Sequence, residues 1–440
     1  MSNQLNKEFL QKKINEIQKL YTSSEAPWII GFSGGKDSTA TVQLIYLALK
    51  KLPQKMLKKN VWVISSDTLV EIPTVVSRVK GSLENISQAA KRDNLPIKAE
   101  QISPDVDSTF FVNLIGRGYP SPTRNFRWCT DRLKIQPTSK FIQNNIDKYG
   151  EVIVILGARK KESMSRAQAM NNYQIKDSLL KRHATLKSAF VYTPIEEWDL
   201  DDVWTFLHNF DSPWGDDNKE LVKMYKKAGG DECPLVVDSS TPSCGNSRFG
   251  CWVCTVVEQD KSIQGFIENG ESWLKPMAEF RNYIKELREQ REEHRIPDSS
   301  RTGGYGPFKL TTRMEILEKL LIVEKSMQDT HGEKLVSQEE LWAIQKLWKY
   351  DGDHNDTVKR TYEQIFGKED TVFQYRDIEI KKEDDDSYHL LDLCSQYNVS
   401  NDLVQRLLFI EQDFTKMRRR KGLFQRIDNE FAREVSNPLK

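Results

Sequence analysis

A surplus of charge of one sign is missing from this chain: 65 Lys and Arg face 64 Asp and Glu, a formal net charge of +1 over 440 residues. That excludes a broadly basic nucleic-acid binder, so any contact with a polyanion has to be local. Lys181-Arg182-His183 and the run Lys416, Arg418, Arg419, Arg420 and Lys421 are the candidate patches, against the ordinary reading of short basic runs as solvated surface. Long apolar runs are missing too: none approaches the roughly 20 residues that span a bilayer, and no membrane association is expected. Met1 to Tyr21 is polar, with Leu5, Phe9, Ile14, Ile17 and Leu20 near helical spacing and no short apolar core of a secretory signal, which predicts a surface helix of a cytoplasmic protein. Cysteine is scarce. Six are too few for a disulfide scaffold in a chain of this size, and four of them fall within one short segment, which points to a metal or redox site in a reducing compartment.

What is present is α/β patterning followed by helices. Trp28 to Phe32, Val61 to Ser65 and Val152 to Leu156 read as buried parallel strands, each ending where a Gly, Ser or Asp can face a ligand at the carboxyl edge of a sheet. Between Gly229 and Phe308 the pattern becomes irregular and rich in Cys, Gly and Pro, apart from a charged helical stretch from about Gly270 to Glu293. From Thr311 onward amphipathic helices dominate, one opened by a Ser337-x-x-Glu340 capping box. Three units follow: residues 1–228, an irregular segment 229–310, and a helical region 311–440.

The most specific signal is Gly31-Phe32-Ser33-Gly34-Gly35-Lys36-Asp37-Ser38-Thr39, set between a strand and an amphipathic run from Ala40 to Leu49. Glycines let successive N–H groups turn toward a phosphate, the helix start adds partial positive charge, and Lys36 adds a full one. The loop is not the G-x-x-x-x-G-K-[ST] type that serves γ-phosphoryl transfer. Two further segments lie at strand ends: Ser66-Asp67-Thr68, and Gly157-Ala158-Arg159-Lys160-Lys161-Glu162-Ser163-Met164-Ser165-Arg166, whose Arg159 and Arg166 suit phosphate oxygens. Pro194-Ile195 to Trp204 is read as packing at a helix start.

Ser33 to Ser38 resembles the SGGKDS loop of the PP-loop ATP pyrophosphatases. The Asp67 and Arg159 to Arg166 elements resemble those of their PAPS reductase relatives, over roughly residues 25 to 230. The resemblance implies a parallel-sheet, adenine-nucleotide alpha-hydrolase-like domain that binds ATP with Mg2+ through Ser33, Gly34, Gly35, Lys36, Asp37, Ser38, Thr39, Asp67, Arg159 and Arg166.

Cys233, Cys244, Cys251 and Cys254 can close a four-thiolate shell around zinc or a [4Fe-4S] cluster. The wide spacing of the first two is unlike the paired C-x-x-C knuckles of a zinc ribbon and favours the cluster. Cys129, flanked by Arg127, Arg132 and Lys134, sits where a thiolate is favoured and suits a sulfur carrier. With Arg127-Trp128-Cys129-Thr130-Asp131-Arg132-Leu133-Lys134 and Gly303 to Pro307, the chain resembles the DndC-type sulfurtransferases of DNA phosphorothioation. It departs from the assimilatory reductases in having Thr130 where they carry a second thiol, and in lacking their terminal E-C-G-L-H element. The resemblance implies a sulfurtransferase in which ATP activates a DNA phosphate and sulfur replaces a non-bridging oxygen, with Cys129, Lys36 and Arg166 catalytic. A cysteine desulfurase, a DndD-type ATPase and a DndE-type DNA-binding protein are the implied partners. The alternatives are tRNA thiolation and PAPS or APS reduction.

Overall fold

The computed structural model describes residues 7–228, 250–298, 304–353, 355–367 and 422–436, with scattered positions from 393 to 411. A six-stranded sheet of order β3-β2-β1-β4-β6-β5 forms its centre. Its strands are β1 (Trp28–Gly31), β2 (Val61–Ser66), β3 (Ile97–Ile102), β4 (Val152–Ile155), β5 (Lys181–Arg182) and β6 (Ala189–Tyr192). All pairings are parallel except the β5 edge. The three strands expected from their apolar runs are present, paired in register as Trp28 with Val61 and Trp28 with Ile153.

Alternation along each strand divides the core. Trp28, Ile30, Val61, Val63, Ile153 and Ile155 face one side, packed with α1 (Lys7–Thr22), α2 (Lys36–Lys50) and α3 (Pro73–Arg92). Ile29, Ile64, Val152 and Val154 face the other, covered by Ile142 of the helix Gln136–Tyr149. Both faces are thus sealed, as a parallel sheet requires. The helix α2, read as an amphipathic run, is enclosed on more than one face: thirteen of its residues are buried, because α1 and α4 (Leu200–Asn209) pack against it. Asp199 and Asp202 form a reciprocal capping box at the start of α4, which accounts for that motif structurally.

Beyond the sheet, the stretch expected to be irregular contains more helix than its composition suggested. Besides Lys275–Glu289, where charge periodicity predicted a helix, it holds Lys261–Glu268, opened by an Asp260 side chain that accepts from Ser262 and Ile263 N–H groups. Arg295–Asp298 and Gly304–Phe308 then pair antiparallel. The C-terminal region is helical as expected, with Leu310–His331, Gln338–Tyr350 and Thr357–Phe366. It docks on the sheet domain through Trp348 Nε1, which donates to the Ile115 carbonyl at 2.9 Å, and Arg313 Nη1, which donates to that of Gly116 at 2.6 Å. One hydrophobic cluster runs from α1 through to these helices. None of the described helices is long and apolar enough to cross a membrane.

Lys59 is a costly cation in the core. Lys59 is buried against Tyr21 and Trp28, 4.5 and 5.0 Å from their rings, with Nζ donating to the Ser24 carbonyl. Burial pushes its ammonium down to about 8. The unfolded chain keeps that proton to near pH 10.4, so between pH 8 and 10.4 the unfolded state binds more protons and stability rises with pH. We expect the melting temperature to climb from pH 7.5 to 9.5 in the wild type and to stay flat in Lys59→Met. The variant should be the more stable protein at pH 7, by on the order of 1–2 kcal/mol.

Candidate active site

The chain leaves β1, turns through Ser33 to Gly35 and enters α2, while β4 on the opposite side of β1 leads into Gly157 and Arg159. Strand order reverses between β1 and β4, so the two loops meet at the topological switch point, where open α/β sheets bind ligands. Gly34 adopts φ +71°, and a Cβ there would lie 2.6 Å from Val79 Cγ2. Backbone conformation and α3 packing therefore both demand glycine. Ser33 N–H donates to Ser38 Oγ at 3.2 Å, and Ser38 Oγ donates to the Gly35 carbonyl at 3.0 Å, which draws the loop tight. Gly35 is the N-cap of α2 and supplies no side chain. The Lys36 N–H at the helix start instead donates to Tyr225 Oη at 3.1 Å, and the Lys36 ammonium lies 5.5 Å from the same ring.

Behind the loop lies a buried ionic cluster. Asp37 accepts from Lys36 Nζ at 3.1 Å through one oxygen and from Arg159 Nε through the other. Arg166 Nη1 donates to Glu162, and Ser163 caps the helix that carries Arg166 by accepting from the Arg166 N–H. Burial pushes the Glu162 carboxyl above the usual carboxylate range, Arg166 opposes that, and the Asp37 charge adds to it. Three cations and two carboxylates thus converge on the start of α2, leaving one positive charge in excess at a helix N-terminus. Such a setting favours a polyanionic ligand. Gly157 joins the two loops: a Cβ on it would lie 2.7 Å from the Asp37 carbonyl oxygen and 2.9 Å from Ser38 N.

Of the remaining predicted residues, Asp67 and Cys251 meet the segment that follows the carboxyl end of β2. Asp67 Oδ1 accepts from the Leu69 N–H at 2.8 Å and holds Leu69 at φ +63°. Glu71, which sequence reasoning did not single out, accepts from the Thr68 N–H. Burial foremost raises its carboxyl, with Asp67 adding to this and Lys134 opposing it. Cys251 forms a bridge with Glu71, and its Sγ lies 3.3 Å from Thr68 Oγ1. The Cys254 N–H donates to the Cys251 carbonyl at 3.0 Å, so Cys251 and Cys254 share one turn, fixed by the buried Trp252 between them. That turn suits two thiolates of a C-x-x-C cluster site; Cys233 and Cys244 lie outside the described residues. Cys129 is half-buried in the turn that follows Arg127, and its neighbour Trp128 stacks on Phe110 at 5.2 Å, which continues through Phe111 to Trp252. Arg132 Nη2 donates to Tyr119 Oη at 3.2 Å.

Tyr225 and Glu71 belong to no local pattern in the sequence, and Gly157 stands in one only as the opening residue of the Arg159 to Arg166 element. Tyr225 stands 189 positions from the lysine whose N–H it meets.

A family model described as phosphoadenosine phosphosulfate reductase domain matches residues 27–257, more than half of the chain. The chain belongs to that family. The match spans the Ser33 to Thr39 loop and the Arg159 to Arg166 element. Two uncharacterized proteins of Methanocaldococcus jannaschii are similar to it, 25% identical over 61% of this chain and 24% over 53%. It spans about half the length of these curated relatives, 45% and 50%. Among solved structures, the U34-tRNA thiolase of Methanococcus maripaludis with its [4Fe-4S] cluster is 14% identical, with 68% of this chain and 84% of that one covered and a TM-score of 0.27. The NH3-dependent NAD synthetase of Campylobacter jejuni is 13% identical, with 68% and 99% covered and a TM-score of 0.29.

Proposed function

We propose that this member of the family is an ATP-dependent sulfurtransferase acting on the DNA backbone. The observation that carries the reading is the convergence of the PP-loop with Asp37, Arg159, Glu162 and Arg166 at one switch point. The resemblance of the Arg127 to Lys134 segment to the DndC-type enzymes supplies the substrate.

A non-bridging phosphate oxygen is a poor leaving group and needs activation. In the proposed reaction it attacks the α-phosphorus of ATP and pyrophosphate departs. Lys36, Arg159, Arg166 and the α2 N-terminus stabilise the charge that gathers on the leaving group. Mg2+ would add Lewis-acid neutralisation there, with Asp67 as a carboxylate within the same sheet edge. The terminal sulfur of a Cys129 persulfide, loaded by a cysteine desulfurase, then attacks the activated DNA phosphorus, and AMP leaves with the original oxygen. Two electrons from an external thiol cleave the remaining S–S bond and free Cys129. A [4Fe-4S] cluster on Cys233, Cys244, Cys251 and Cys254, when bound, would supply electron-transfer or sulfur-binding capacity beside Glu71. A DndD-type ATPase and a DndE-type DNA-binding protein complete the proposed system, in the cytoplasm.

The test is mass spectrometry for phosphorothioate dinucleotides in DNA from cells that express the partners with either wild-type protein or Cys129→Ser. Phosphorothioate is expected with the wild type and a fall of at least about a hundredfold with the serine, whose hydroxyl cannot carry a persulfide. Unmodified DNA with the wild type would overturn the reading, and thiolated tRNA in the same cells would replace it. Modification that persists in Cys129→Ser would remove the carrier step.

A further inference from the structure

Of the two candidate basic patches, the structure turns Lys181 and His183 of one inward and leaves Arg182 exposed. Lys181 is buried and its ammonium donates to Glu196 and Thr193, while His183 Nδ1 faces the Thr185 and Leu186 N–H groups. Residues 416–421 lie outside the described residues. The described surface offers a different patch. Thr123 to Phe126 is a tight turn in which the N–H of each end residue donates to the carbonyl of the other, at 3.2 and 3.3 Å. Its base is pinned: the Pro122 carbonyl accepts from Thr255 Oγ1 at 2.8 Å and from Arg288 Nη1 at 2.6 Å. Trp128 Nε1 donates to the Pro120 carbonyl on the near side. On this fixed turn Phe126 is 46% exposed, with Arg124 beside it and Arg127 closing the turn. Neither arginine is in an ion pair among the described residues. From Arg132 onward a groove of about 430 Å³ continues along the helix Gln136–Tyr149, lined also by Gln136, Lys140 and Asn144, with Asp105 holding Lys140 at 3.0 Å. Cys129 lies in sequence between the turn and the groove.

We infer that the Thr123 to Arg127 turn and the adjoining Arg132 groove form the DNA-docking surface of this enzyme, with Phe126 packing against an exposed base or base step while Arg124, Arg127 and Arg132 take flanking phosphates. The inference rests on the proposed DNA reading and specifies where that substrate sits. The chemistry is complementary. Unpaired guanidiniums attract backbone phosphates, an exposed aromatic ring gives a base a stacking face, and a rigid turn presents both without an ordering cost. It also explains how a chain of net charge +1 can hold a polyanion: the cations are concentrated beside the thiol that must reach a phosphorus.

The test uses the full chain and a fluorescein-labelled DNA duplex, followed by anisotropy between 50 and 200 mM salt. Arg124→Glu/Arg127→Glu is expected to weaken binding at least tenfold and to lower the slope of log affinity against log salt by about 2, since each phosphate contact accounts for about 0.9. Phe126→Ala should weaken binding roughly 5- to 100-fold with the slope unchanged, and Phe126→Trp should restore it. Unaltered melting temperatures confirm that the variants fold. Variants that bind as the wild type does overturn the docking surface, as does tighter binding of tRNA than of the duplex. Pyrophosphate release from ATP by the wild type, measured on the same preparation, separates the two claims. Release together with variants that bind normally sinks the surface alone, whereas no ATP turnover sinks the sulfurtransferase reading beneath it.

Discussion

Gly157→Ala is expected to cut nucleotide turnover about a hundredfold in a protein that still folds. The added methyl group would lie 2.7 Å from the Asp37 carbonyl oxygen, 2.8 Å from its carbon and 2.9 Å from Ser38 N. All three are backbone atoms of the first turn of α2, so no side chain can swing aside. The strain is relieved only by pushing the β4 loop away from the PP-loop, at a cost of about 1–3 kcal/mol. That leaves the fold intact but separates Arg159 from Lys36 by a fraction of an ångström to an ångström. Misplacement on that scale costs on the order of a hundredfold in rate. Pyrophosphate release and the melting curve, measured together, check it: wild-type turnover in Gly157→Ala would mean that the two loops do not act as one site.

Asp37→Ala should produce the larger loss of stability. Asp37 is buried and holds two cations, Lys36 and Arg159, that are themselves buried. Removing the carboxylate leaves like charges facing each other out of water, and breaking a buried pair from one side costs about 3–5 kcal/mol. For a domain of this size that lowers the melting temperature by on the order of 10 °C. The second change Arg159→Met, made on top of Asp37→Ala, should recover much of the stability, because it removes the stranded charge, while nucleotide turnover stays lost. If Asp37→Ala melts with the wild type, the cluster is solvated in solution and the electrostatic account of the site fails.

How much of this could be read from the chain alone depends on the range over which each feature is encoded. The strand–glycine loop–helix unit from Trp28 to Leu49 is local: apolar run, turn residues and helix start follow one another, so loop and family are legible together. The capping boxes at Asp199 and Ser337 are local as well. Burial is not local, and α2 shows why. Its Thr and Gln side chains read as a polar face, but α1 and α4 arrive from distant sequence to cover it, with Gln43 Nε2 donating to the Phe210 carbonyl at 2.8 Å. The short helix Lys261–Glu268 and the pairing of Arg295–Asp298 with Gly304–Phe308 are hidden in a segment whose Cys, Gly and Pro content signals irregularity.

The sequence by itself determined the parallel α/β class, the phosphate-cradling loop, the family and the candidate ligands and carrier, since each is a matter of residue type at short spacing. Only the tertiary structure decided which charges meet. It buried Lys181 in an internal ion pair, brought Tyr225 to the Lys36 N–H, and set Gly157 against Asp37. The physical reason is that electrostatics and steric contact depend on distance in space. The reversal of strand order between β1 and β4 joins residues more than a hundred positions apart, a proximity that no local pattern in the chain encodes.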